Sequence, residues 1–118
     1  MGMKGKALIL LSLGLLFLIQ ARGICWSQTT TLVSVDSAGA QDPDPSSSSF
    51  PSISAGGRYV AFDSNANELV IGDTNDRFDI FVHDRDTDED GIYDEDGAIS
   101  TVRVSVDDFG SEGSGHSR

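Results

Sequence analysis

Cysteine is almost missing: Cys25 is the only one in 118 residues, which excludes an internal disulfide framework. Basic residues are scarce as well, with eight Lys and Arg against nineteen Asp and Glu and a net charge of −11. Such a chain repels nucleic acid and anionic membrane surfaces and invites cations. No sustained apolar spacing of three and four runs through the body of the chain, so a helical domain is not expected. There is no Gly-rich phosphate loop, no Gly-x-Ser-x-Gly elbow and no arguable nucleophile–base pair, so catalysis is not expected either. The longest apolar run, Ala7 to Ile19, falls short of the ~20 residues that span a bilayer.

That run has another reading. Lys4 and Lys6 precede it and small residues follow it, the pattern of a secretory signal peptide. Cleavage after Gly23 or after Ser27 fits a small-x-small rule, and the second is preferred because Gln28 onward reads as a polar strand entry. Ile24 before Cys25 is a poor match to a lipid-attachment signal. The expected layout is a signal peptide over 1–27 and an exported domain over 28–118, secreted or periplasmic and free of the membrane after cleavage. Loss of Lys4, Lys6 and Arg22 with the leader takes the net charge from −11 to −14.

What remains is strand-like and punctuated by turns. Pro51 to Ser64 holds two strand signals around Gly56-Gly57, glycines that can take the positive φ of a tight hairpin. Arg58-Tyr59-Val60-Ala61-Phe62-Asp63 is rich in aromatic and β-branched residues. Thr29 to Asp36, Asp79 to Asp84 and Ile99 to Val106 are the other strand signals. Ser37 to Ser49, with Pro43, Pro45 and four serines in a row, reads as loop. One echo organises the set: Val33-Ser34-Val35-Asp36 recurs 71 residues on as Val104-Ser105-Val106-Asp107, and Gly39 falls on Gly110 in the same register. A unit of that length with four strands has the content of a propeller blade.

These residues resemble the TolB-type, WD-like β-propeller repeat of bacterial envelope and secreted proteins. The resemblance lies in Pro51-Ser52-Ile53-Ser54, Gly57 to Phe62, Leu69-Val70, Asp73-Thr74-Asn75, Asp79 to Asp84 and Arg103 to Asp107. Gly56 departs from it, standing where the family carries Asp before the turn glycine. The resemblance implies an all-β fold: about one four-stranded antiparallel blade plus the last strand of a preceding one. A propeller closes with about four to eight blades, so further blades are expected in cis or in trans, because a lone sheet would leave both faces wet. The implied role is non-catalytic binding or scaffolding toward a protein or cell-envelope ligand. The alternatives are a segment of a larger secreted hydrolase, or a calcium-dependent adhesion module that oligomerises.

The sharpest local signal is Asp86-Thr87-Asp88-Glu89-Asp90-Gly91-Ile92-Tyr93-Asp94, an insertion over 86–97. Carboxylates at positions 1, 3, 5 and 9 with glycine at 6 match the start of an EF-hand-type Ca2+ loop. The expected ligands are Asp86, Asp88, Asp90, the Ile92 carbonyl, Asp94 and Asp96. Gly97 occupies position 12, where the rule wants an acid, so Asp96 or Glu95 would substitute. The loop also resembles those of dockerin and thrombospondin type 3 repeats. Seven acids between Asp86 and Asp96 and no His or Cys favour a hard cation over zinc. His83 is expected to be packed or hydrogen-bonded, His116 to lie in a Gly/Ser tail, and Asp73, Asp76 and Asp79 to cap turns, the alternative for those three being a second carboxylate cluster.

Overall fold

The computed structural model describes residues 29–118, and the expected leader with both cleavage points lies outside the described residues. Among the described residues there is no helix, and none that is long and apolar enough to cross a membrane. The described residues are all-β: β1 (Ser48–Ile53), β2 (Tyr59–Ser64), β3 (Asp79–Asp84) and β4 (Ser100–Arg103) form one sheet in that order. Every neighbouring pair is antiparallel, consistent with about one blade.

The β1–β2 hairpin forms where the strand signals place it, and one glycine carries its turn. Gly57 takes φ 80°, the left-handed region that a side chain resists, while Gly56 is not among the positive-φ residues. Gly57 N–H donates to the Ser54 carbonyl at 2.9 Å, and Ser54 N–H closes the turn on the Tyr59 carbonyl at 2.9 Å. β1 begins earlier than expected, inside the serine run. Pairing of Ser48 with Ser64 and of Ser49 with Asp63 recruits those serines into the ladder, overriding their poor strand propensity. The register then shifts between Ser49 and Ser52. Pro51 has no N–H to give the ladder, and Phe50 absorbs the bulge at φ 48°.

Two expected strands differ. The final one stops at Arg103 rather than Val106. Val104 N–H still reaches the Ile80 carbonyl at 2.8 Å, but the Ser105 hydroxyl then takes the Ile80 N–H at 3.0 Å and replaces the next ladder bond. The segment expected as the last strand of a preceding blade, Thr29 to Asp36, forms no ladder. Side chains make the contact instead. The Thr101 hydroxyl donates to the Val35 carbonyl at 2.5 Å, and the Ser37 hydroxyl accepts from Thr101 N–H at 3.0 Å.

The registers divide the sheet into two faces. Val60, Phe62, Phe81, His83, Thr101 and Arg103 share one. Ala66 and Leu69, from the chain after β2, fold back over it, and Val33 and Val70 pack alongside. The Phe62 and Phe81 rings stack with centroids 5.9 Å apart. Burying a side chain of this size is worth about 1.5–3 kcal/mol, which explains why this face is closed within a single chain. The opposite face is only partly covered: Tyr59 at 43%, Val102 at 49% and Val104 at 47% are exposed, while Asp63 on it is buried. The expectation that both faces would be wet therefore holds only in part, and for one of them.

The aspartate turn that ends each copy of the sequence repeat is also repeated in structure. Asp36 Oδ1 accepts from the N–H groups of Ala38 and Ala40 at 2.8 and 2.7 Å, and Gly39 turns at φ 80°. Asp107 Oδ1 accepts from Phe109 and Ser111 at 2.9 and 2.8 Å, and Gly110 turns at φ 78°. The shared Asp and Gly, in segments that otherwise differ, fold the same aspartate turn because its hydrogen bonds are local.

Candidate metal centre

The acidic loop joins β3 to β4 and is closed at its base by backbone hydrogen bonds. Thr87 N–H donates to the Ala98 carbonyl at 2.8 Å, Ala98 N–H to Glu95 at 3.0 Å and Asp94 N–H to Arg85 at 2.8 Å. Inside this base Asp86 is 4% exposed. Its Oδ1 and Oδ2 accept from the Asp90 and Gly91 N–H groups, each at 3.1 Å. Asp90 Oδ1 in turn accepts from Ile92 N–H at 2.8 Å. The coil this requires passes through Glu89 at φ 63° and Gly91 at φ 87°. No atom lies within 4 Å of a Cβ built on Gly91, so its backbone angle, and not crowding, selects glycine there.

The coil brings Asp86, Asp88 and Asp90 together, each offering an oxygen within 4.8 Å of the others, so that the group could hold a metal ion. Glu95 faces them. Desolvation, then the charges of Asp90, Asp88 and Asp86, push its carboxyl above the ordinary range. Ile92 meets the group through its N–H, with its side chain 56% exposed.

Asp94 and Asp96 lie elsewhere. Arg85 grips Asp94 bidentately, Nε to Oδ1 at 2.8 Å and Nη2 to Oδ2 at 2.5 Å. The hydrogen bonds from Arg85 hold the Asp94 carboxyl below its usual range. Asp96 is exposed and lines a cleft with Asp94, His83 and Ile99.

Two arginines bind this loop to the hairpin turn. Arg58 pairs with Asp84 through Nε and Nη2 at 2.8 and 2.9 Å and reaches Glu89 at 2.9 Å. Arg85 Nη1 donates to the Gly57 carbonyl at 2.9 Å and stacks on Tyr93, whose hydroxyl donates to the Gly56 carbonyl at 2.8 Å. Sequence reading missed both arginines, since their partners are set by tertiary approach. Only Asp84 and Asp86, on either side of Arg85, hinted at one of them.

The other polar residues serve packing. His83 is 1% exposed, and burial pushes its pKa down. Its Nδ1 lies 2.8 Å from the Thr101 hydroxyl oxygen, which already donates to Val35, so Nδ1 carries the proton. Asp73 and Asp79, expected to cap turns, instead converge with Glu112 on Arg103 Nη1 at 3.1, 3.5 and 2.9 Å. Asp79 is further held by Asn75 and Ser105, while Asp76 accepts from Asn67. A buried guanidinium attracts these acids more strongly than a turn amide does. Comparison with family models, curated proteins and solved structures finds no match to this chain.

Proposed function

We propose that this chain supplies one blade, with flanking segments, to an exported non-catalytic β-propeller of the TolB-like type. Its role is binding or scaffolding toward a protein or cell-envelope ligand. The observation that carries this reading is the pair of Val-Ser-Val-Asp segments, 71 residues apart, that fold one and the same turn before the first and after the last of the four strands in sequence. A unit with one closed and one partly open face suits stacking on neighbours, in cis or in trans. Export rests on the leader pattern.

The same reading gives the β3–β4 loop a structural Ca2+. The donor set fits: three carboxylates on one coil, all-oxygen chemistry, and a fourth acid, Glu95, that feels their charges. Asp86, Asp88 and Asp90 would hold the ion, with Glu95 beside them. Bound calcium would offset part of the loop's negative charge and draw Asp86, Asp88 and Asp90 together, while Arg58 and Arg85 keep the loop against the hairpin.

A tandem repeat of the unit tests the blade reading. Two consecutive 71-residue units should melt well above one unit, because the second covers the open face. Equal melting temperatures would refute stacking. Titration calorimetry tests the ion, and absence of calcium heat would reduce the loop to acidic surface.

A further inference from the structure

Asp63 is the least satisfied charge on the sheet. It lies in β2, paired across the ladder with Ile80, and is 2% exposed. Its register puts it on the open face, with Tyr59 and Ala61. Neither carboxylate oxygen has a hydrogen-bond partner among the described residues. A buried carboxylate without donors is strongly disfavoured and draws in whatever cation can reach it.

One cation is within reach. The chain from residue 113 to 118 returns to the start of β3 and is fastened there at several points. Asn75 Nδ2 donates to the Gly113 carbonyl at 3.0 Å. Phe78 N–H donates to His116 Nδ1 at 3.1 Å, and Ser117 N–H donates to the Phe78 carbonyl at 2.6 Å. The Arg118 guanidinium then lies over the Phe78 ring, 4.8 Å from its centroid. Its Nε is 4.0 Å from Asp63 Oδ2, with the arginine side chain 60% exposed. A shift of about 1 Å would bring that contact to charge-assisted hydrogen-bond length.

We propose that residues 113–118 form a strap that closes over this end of the sheet by latching Arg118 onto Asp63. Closed, the strap pairs the orphaned carboxylate and fixes the path along which the chain leaves the second aspartate turn. Open, it leaves Asp63 without a cation at the margin of the exposed face. Phe78 serves as the hinge plate, giving both backbone groups to the strap and its ring to the arginine.

Amide hydrogen exchange on the full chain tests the latch, read at Ser117 with Phe62 in β2 as the internal control. Arg118→Ala and Asp63→Asn should each speed Ser117 exchange by about tenfold or more while Phe62 stays protected. The double variant should show no further increase, since either change alone breaks the same pair. Arg118→Lys should restore part of the protection. The proposal is overturned if Arg118→Ala leaves Ser117 unchanged, or if the two single effects multiply in the double variant. It is overturned equally if Ser117 already exchanges in the unaltered chain as fast as in an unstructured peptide. Arg118 is exposed, so its variant decides the matter even if Asp63→Asn unfolds.

Discussion

Replacing Asp88 by asparagine should stabilise the chain in chelator and destabilise it, relative to the unaltered chain, in calcium. The three carboxylates of the loop lie within 4.8 Å of one another. In water-like surroundings each unit-charge pair at that distance repels by about 0.9 kcal/mol, and physiological salt roughly halves the figure. Asp88 takes part in two of the three pairs, so removing its charge should return about 0.5–1 kcal/mol when no ion is present. The side chain is exposed and its shape is preserved in asparagine, so little else changes. For a domain of this size that amounts to a rise of roughly 2–8 °C in Tm.

Calcium reverses the sign. A loop of extracellular type binds with Kd on the order of 10⁻⁴ to 10⁻³ M. At about 10 mM calcium the unaltered chain should gain roughly 1.4–2.7 kcal/mol, and Asp88→Asn most of that less. Paired thermal melts in chelator and in calcium, followed by far-ultraviolet dichroism, read both signs in one experiment. Magnesium should support little of the gain, because it demands a smaller, near-octahedral shell. A variant that is neutral or destabilised in chelator, with an unchanged calcium response, would show that the three carboxylates neither repel nor share an ion.

The hairpin turn separates its two glycines: Gly57→Ala should destabilise by about 1–2 kcal/mol, since Gly57 sits at φ 80°. Gly56→Ala should change chemical denaturation by no more than a few tenths of that, because it lacks a positive φ and has no atom within 4 Å of its Cβ position. Thr101→Val should cost about 1–3 kcal/mol, leaving the Val35 carbonyl and His83 Nδ1 without their shared partner, and amide exchange near Val35 should rise with it. The Asp94 carboxyl, depressed mainly by Arg85, contributes stability that is complete above the unfolded carboxylate range near pH 4. That stability is lost as pH falls through the lower folded value, so an acid titration of Arg85→Met should show a shallower decline than the unaltered chain.

The parts of the fold legible in the sequence are those fixed by local chemistry. Tyr59 to Phe62 and Asp79 to Asp84 announce strands through their own residues, and the aspartate turns at Asp36 and Asp107 repeat because each is made within five residues. The parts that escaped depend on what arrives from far along the chain. Ser48 and Ser49 become strand because Ser64 and Asp63 present a ladder to them, and Thr29 to Asp36 does not because Thr101 offers a hydroxyl instead. The acidic loop shows the limit most plainly. Counting from Asp86 reproduces a calcium spacing up to position 9, and the coil at Asp86, Asp88 and Asp90 follows that count.

Arg85, one residue before the count begins, changes its end. A guanidinium fork matches a carboxylate in two hydrogen bonds at once, and both Asp94 oxygens are committed to it. Bringing Asp94 to an ion would break both bonds and leave Arg85, which is largely buried, without its anion. Glu95, next in the chain, already sits in the field of the three aspartates, its carboxyl raised in part by their charges. A cation held by those aspartates would relieve that repulsion, whereas drawing Asp94 to it would first break the salt bridge to Arg85.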